Sequence, residues 1–338
     1  MKAMLLSQLA PMSQTAEPLS LVDIPRPEPA RDEVLVRIIA CGVCHTELDE
    51  IEGRTPPPRF PVVLGHQIVG RVAALGSQVR NLALGDRVGV GWIHHSSGLA
   101  DENISDEFVA TGRDVDGGYA EFMCVAERYA FPIAEIFTDA QAAPLLCAGA
   151  IGYRALKLTG LKDGDTLGLM GFGGSAHLVL QLTRHLFPRS SIYVFARNEE
   201  TRTFAKNLGA DWVGQSPAPD LLDAIIDTTP AWTPVVQAME NLKPGGRLVI
   251  NAIRKENEDK KALLKLNYSD HLWMEREIKS VANITGDDIS EFLAIAAVVP
   301  ILAEIETYPL AEANRALVEL KRGSVKGAKV LVVGRSLQ

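Results

Sequence analysis

The chain has 338 residues, of which 47% are apolar and 22% charged, the composition of a globular protein with two domains or one large one. Its formal net charge of −8 and the lack of any basic run argue against a nucleic-acid partner, whose phosphates reward clustered Lys and Arg. The longest apolar run, Phe292 to Ala303, is about half a membrane span. The start, MKAMLLSQLAP, lacks the continuous apolar stretch of a signal peptide and reads as a first strand, so a soluble cytoplasmic protein with no membrane partner is expected.

Up to about residue 145, short β-type runs are broken by Gly and Pro. VLVRIIA, PVVLGHQIVGRVAAL, DRVGVGWI and GGYAEFMCV are the clearest, with turns at Pro56-Pro57-Pro58 and Gly117-Gly118. Near Ala148 the texture changes. DTLGLMGFG reads as a strand, SAHLVLQLTRHLF as an amphipathic helix, SIYVFAR as a strand and EETRTFAKNLGA as a helix closed by glycine. DAIIDTTP, a helix from about Pro234 to Leu242, GGRLVINAI and EIKSVAN continue the series. Strands alternating with helices of this length predict βαβ units and a parallel sheet. Two further helices, DISEFLAIAAVV and LAEANRALVELKRG, lead to a last strand, KVLVVG. The expected fold class is α/β, with a doubly wound parallel sheet over 148–284 inserted into a β-rich domain formed by 1–147 and 285–338.

Between the first strand and first helix of the βαβ section lies GFGGSA, which provides Gly171, Gly173, Gly174, Ser175 and Ala176. A glycine turn there lets the backbone approach a pyrophosphate, and the helix N-terminus offers its unpaired amides to the anion. The end of the second strand reports on cofactor choice. An acid would receive the ribose hydroxyls of NAD, whereas the chain reads Ala196-Arg197-Asn198, with Glu199 and Glu200 already on the next helix. A guanidinium in that place pairs with a 2′-phosphate, so NADP(H) is expected in preference to NAD(H).

Four cysteines are few for this length, and two of them, Cys41 and Cys44, fall in CGVCHTELDE. In a reducing compartment such usage points to ligands, catalysis or core packing before disulfides. LGHQIVG supplies His66 and PLLCAGAIGY supplies Cys147. Two thiolates and an imidazole make a three-ligand zinc set whose fourth position stays open to water or substrate. GVCHTE, GH-x-x-VG in the form GHQIVG, GDRVGVGW, DGGYAE and GFGGSAH follow one another in the order found in a known family. Over nearly its whole length the chain resembles the zinc-dependent alcohol dehydrogenases of the medium-chain dehydrogenase/reductase superfamily.

The resemblance implies a GroES-like catalytic domain with one catalytic zinc and an inserted Rossmann domain. It implies that Cys44, His66 and Cys147 are the zinc ligands and that Cys41 is packing. Thr46 matches the hydroxyl that hands on the alcohol proton, and His45 a residue at the cofactor pyrophosphate. Glu47 matches the acid that orients the metal-bound imidazole, and Trp92 a large residue lining the substrate pocket. The implied partners are a small alcohol, aldehyde or ketone and further copies of the chain, as a homodimer or homotetramer paired through EIKSVAN.

Three positions depart from the family pattern. Gln67 replaces a glutamate beside the zinc histidine. Asp49 replaces a histidine that ends the proton relay; with Thr46 it is a catalytic candidate, as a carboxylate that could still accept the proton, the alternative being a relay that opens to water through Thr46 and the ribose. The loop after Trp92 lacks the cysteines of a second, structural zinc; Ser105 falls where the fourth would be, and the adjacent His94 and His95 make poor replacements. Its acidic run, Asp101 to Glu107, is expected to be a solvated surface. His177, His185, His271 and Cys124 are expected to pack, cap or face solvent. Two other readings compete: a zinc-free quinone or enoyl reductase of the same superfamily, and a cofactor-binding protein without turnover.

Overall fold

The structure, a computed structural model, describes residues 1–299, 301–323 and 327–334. The chain divides into two units, Met1–Ala150 with Asn283–Gln338, and Ile151–Ala282. Within the apolar run Phe292 to Ala303, Pro300 lies outside the described residues.

The first unit is built on the strand Glu33–Val43, in which every residue except Glu33 and Arg37 is buried. Such a strand is apolar on both faces, and it takes a central place with Ile68–Leu75, Phe122–Ala126 and Ala328–Val332 hydrogen-bonded to it antiparallel. Ile305–Pro309 extends this sheet beyond Ala328–Val332; Arg87–Val90 and Phe131–Pro132 extend it beyond Ile68–Leu75. The run PVVLGHQIVGRVAAL is not one strand. Val62–Val63 joins a small sheet with Lys2–Leu6 and Ser20–Asp23, Ile68–Leu75 joins the large sheet, and Leu64–Gln67 bridges them as a loop. Gly65 sets that break: its φ is +97°, and a Cβ there would lie 2.4 Å from Cδ1 of Tyr119. GGYAEFMCV likewise becomes a strand only over Phe122–Ala126.

In the acidic run 101–107, Asp101, Asp106 and Glu107 are exposed as expected, but Glu102 is not. Glu102 is 4% exposed; it accepts hydrogen bonds from the Tyr129 hydroxyl at 2.8 Å and from the Gly286 amide at 2.7 Å. Asn283 Nδ2 donates to the carbonyl of Asn103 at 2.7 Å. The loop is thereby fastened to the start of the helix Gly286–Val298, and a carboxylate with two donors tolerates burial.

The second unit is a six-stranded parallel sheet in the order Trp212–Gly214, Ser191–Phe195, Thr166–Met170, Leu222–Asp227, Leu242–Ile250, Glu277–Ser280. Numbered along the chain that is 3-2-1-4-5-6, the Rossmann order, whose switch point lies between Thr166–Met170 and Leu222–Asp227. The α/β class and the Rossmann and β-rich architectures therefore stand as read from the sequence. Helices Ala176–Leu186, Glu199–Asn207 and Thr233–Glu240 provide the crossovers. Thr233–Glu240 turns Val235, Ala238 and Met239 onto Met170, Phe195, Leu222, Ile225 and Leu248. That spacing puts an apolar stripe on one helix face, and each larger side chain stabilises by about 1.5–3 kcal/mol on burial. Among the described residues no helix is long and apolar enough to cross a membrane.

In the first unit a buried cation holds the strand next to Glu33–Val43. The side chain of Lys329 is 1% exposed and donates to Glu306 at 2.7 Å, Glu319 at 2.8 Å and the Tyr308 hydroxyl. Lys329 and Tyr308 hold the Glu319 carboxyl down at about 2, so its stabilisation is full above the ordinary 4.5 and is lost as pH falls towards 2. Lys329→Met should cost about 1.5–3 kcal/mol in urea unfolding at pH 7, the range for hydrogen bonds to charged groups. The deficit should shrink as the pH falls from 4.5 towards 2; a constant deficit would mean that Glu319 does not carry it.

Candidate active site

The strand Glu33–Val43 ends at a sharp transition: Cys44 caps the helix His45–Ile51, and Glu47 Oε2 accepts the Cys44 amide at 2.7 Å. The other oxygen of Glu47 lies 2.7 Å from Nδ1 of His66 on the loop 64–67. His66 Nε2 is thereby turned towards Cys147, whose Sγ is 3.3 Å away. The ligand atoms of Cys44, His66 and Cys147 all lie within 4.8 Å of one another, the one such group among the described residues. His66 and Glu47 are fully buried, while both thiols keep partial exposure.

The charges of this cluster follow from its packing. The Cys44 thiol is pulled well below the ordinary range by hydrogen bonds from Cys147 and His66, against the cost of burial. Cys147, the partner that keeps the proton, is pushed well up by Cys44 and by burial. Burial opposes an imidazolium at His66, but Glu47 and Cys44 raise it to about 10. The packing therefore favours the charged forms of Cys44 and His66 beside a Cys147 thiol that is held up. This donor set suits a soft divalent cation, which would displace the protons.

The other expected residues gather round it unevenly. Thr46 is 6% exposed, with Oγ1 3.5 Å from Cys44 Sγ. Trp92, 8% exposed, packs edge-to-face on the His66 ring at 4.7 Å. Gln67 is buried, and its carbonyl accepts the amide of Gly42 at 2.8 Å. Cys41 is fully buried, and burial pushes its thiol well up. His45 is exposed. Asp49 is buried, and its Oδ1 takes the Arg54 guanidinium at 2.6 Å, which ties down the end of the helix.

In the second unit GFGGSA forms the turn between Thr166–Met170 and Ala176–Leu186. Gly171 has a φ of +81°, and a Cβ on Gly173 would meet nothing within 4 Å, which leaves the backbone open to close approach. His177 Nδ1 donates to the Gly173 carbonyl at 3.0 Å. At the end of Ser191–Phe195, Ala196 is nearly buried and Arg197 exposed. Asn198 caps the helix Glu199–Asn207 by accepting the Thr201 amide at 2.6 Å.

Comparison with known proteins bears on this arrangement directly. Residues 30–135 match the alcohol dehydrogenase GroES-like domain. The chain is 40% identical over 331 residues to a probable alcohol dehydrogenase, AdhA, of Mycobacterium tuberculosis, covering 94% of this chain and 93% of that protein. It is 30% identical over 343 residues to an alcohol dehydrogenase of Geobacillus stearothermophilus, covering 96% and 99%. The chain belongs to the zinc-dependent alcohol dehydrogenase family of the medium-chain dehydrogenase/reductase superfamily. The crystal structure of CAD from Helicobacter pylori complexed with NADP(H) shares the fold, with a TM-score of 0.85 at 22% identity and 99% coverage of each chain.

Within this alcohol dehydrogenase, three features escaped the sequence. Arg202 folds back from its helix to donate to the carbonyls of Ala196 at 3.2 Å and Arg197 at 3.0 Å, placing a second guanidinium at that strand end. Glu50 is fully buried beside Glu47, and burial and that neighbour push its carboxyl well up. Lys255 pairs with Asp227. A five- or six-residue offset on a helix or a neutral-looking acid carries no motif that would have revealed them.

The thiolate assignment is open to a direct check. In chelator-treated protein at pH 7, iodoacetamide should label Cys44 before Cys124, which partial burial raises to about 12, and before buried Cys41. His66→Ala removes one of the groups that pull the Cys44 thiol down and should slow its labelling at pH 7. Peptide mass spectrometry showing equal rates in the two proteins would remove the thiolate–imidazolium pair.

Proposed function

We propose that this enzyme is a zinc-dependent alcohol dehydrogenase that works as an aldehyde or ketone reductase with NADP(H). The observation that carries the proposal is the convergence of Cys44, His66 and Cys147 on one point, with Glu47 behind the imidazole. A zinc ion held by these three side chains would supply Lewis acidity at the substrate oxygen. NADP(H) would supply or accept the hydride.

The chain's own groups do the rest. Glu47 fixes the tautomer of His66, since Nδ1 faces a carboxylate and Nε2 is left as the ligand. Thr46 Oγ1, next to Cys44, exchanges a proton with the substrate oxygen. Because Asp49 is ion-paired with Arg54, the proton passes from Thr46 to solvent instead of to Asp49. Trp92 covers the His66 ring and narrows the approach, favouring slim substrates. Gly171 to Ala176 would receive the pyrophosphate, and Arg197 with Arg202 would take the 2′-phosphate. The fully exposed edge strand Glu277–Ser280, flanked by exposed Trp273 and Met274, is the proposed pairing edge of a homodimer.

Elemental analysis of purified protein should find about one zinc per chain. Near-zero zinc in a folded protein that binds NADPH would favour the zinc-free quinone or enoyl reductase instead. Glu47→Gln should weaken zinc binding or activity by about 10–100-fold, as loss of a ligand-orienting partner does. KM for NADPH should lie below that for NADH, and Ala196→Asp should move the preference towards NADH; a KM for NADH equal to or lower than that for NADPH in the unaltered enzyme would reject the NADP(H) assignment.

A further inference from the structure

Asp227 ends the strand Leu222–Asp227 and is fully buried. It stands at the switch point of the sheet, beside Thr166–Met170, where ligands of open α/β sheets bind. A buried carboxylate there is costly unless paired, and unpaired it would face an incoming pyrophosphate with like charge.

Lys255, from the loop after Leu242–Ile250, meets it. Its side chain is 8% exposed, and its Nζ donates to Asp227 Oδ2, to the Thr229 carbonyl at 2.8 Å and to the Ala231 carbonyl at 3.0 Å. All three ammonium protons are thus used. Asp227 Oδ1 accepts the amide and hydroxyl of Thr229 at 2.9 and 2.8 Å. Residues 227–231 are wound about one cation.

That winding reaches the glycine turn at both ends. The Thr228 amide and hydroxyl donate to the Met170 carbonyl at 3.0 and 3.1 Å, and a Cβ on Gly171 would lie 3.0 Å from Thr228 Oγ1. The Asn251 amide donates to the Asp227 carbonyl at 2.8 Å, and its Nδ2 to Ser175 Oγ at 3.2 Å. We infer that Lys255 is a cofactor-positioning residue: it latches residues 227–231 against the turn Gly171–Ser175 and cancels the Asp227 charge, so that the pyrophosphate cradle is set before the cofactor arrives. The inference rests on the reading of that turn as a dinucleotide site. Its effect is on binding, because a pre-ordered site avoids the ordering cost on association. Lys255 has no part in the hydride or proton transfer.

Fluorescence titration of the full-length enzyme with NADPH tests it, with Lys255→Met and Lys255→Gln beside the unaltered chain. Lys255→Met should raise Kd and KM for NADPH by about tenfold or more, about 1.4 kcal/mol per tenfold, with kcat at saturating NADPH within about threefold. Lys255→Gln, which keeps a donor, should fall between. Folded variants that bind within about twofold of the unaltered enzyme overturn the inference, as does a lowered kcat with unchanged KM, the signature of a merely structural role. An unaltered chain that binds neither NADPH nor NADH overturns the dinucleotide reading and this inference with it. Hydrogen exchange on the unaltered enzyme needs no variant to fold. Slow exchange of the Thr228 and Thr229 amides without cofactor supports the latch; fast exchange that slows only on adding NADPH shows the cofactor ordering the segment and overturns it.

Discussion

One carboxylate registers the chemistry of the first unit. Glu47 touches Nδ1 of His66 with one oxygen and the amide of Cys44 with the other, so a single buried side chain sets both the imidazole's orientation and the position of the helix start that carries the first thiol. Buried carboxylates are tolerated only with such partners. The helix His45–Ile51 shows the alternatives side by side. Asp49 is held by Arg54, and Glu50 has its carboxyl driven up by burial and by Glu47 against the weaker pull of His66 and Arg113. The local charge pattern therefore depends on Glu47 remaining ionised against His66, and the neutral Gln67 next to that histidine leaves the arrangement undisturbed.

Much of the fold was legible because its signals are local. Strand-to-helix alternation announced the Rossmann sheet, and GFGGSA sat where a turn was needed. The three residues that could hold a metal ion stood out as rare residue types in ordered motifs. The loop carrying His66 reads as part of one long strand because β-type residues flank it on both sides; only the ring of Tyr119 against Gly65 shows why the backbone must turn there. Among the acidic residues of the stretch 101–107 only Glu102 departs from the expected exposure, for the opposite reason. Charge predicts exposure statistically, yet Glu102 is bonded to Tyr129 and to Gly286, which is 184 positions away, and pairings at that separation leave no periodic trace.

Lys255 and Asp227 belong to the same class of illegible feature. Each is an ordinary charged residue at a strand end, and their meeting depends on the order of strands in the sheet. The sequence identifies the turn that touches a phosphate far more readily than the groups that hold the turn still. Those braces consist of side chains whose partners are carbonyls, and a carbonyl is available at every position of every chain.

The loop 64–67 has a mechanical consequence of its own. It hangs between two sheets: Val62 and Val63 pair with Leu6 and Leu5, while Ile68 pairs with Cys41 in the large sheet. Between those ends the Tyr119 and Gly118 amides donate to the Leu64 and Gly65 carbonyls, and the Gly42 amide to that of Gln67. A perturbation of the Lys2–Leu6 strand, some sixty positions upstream, would reach this loop through a two-residue ladder. Substitutions that fray this remote strand would thus be felt at His66.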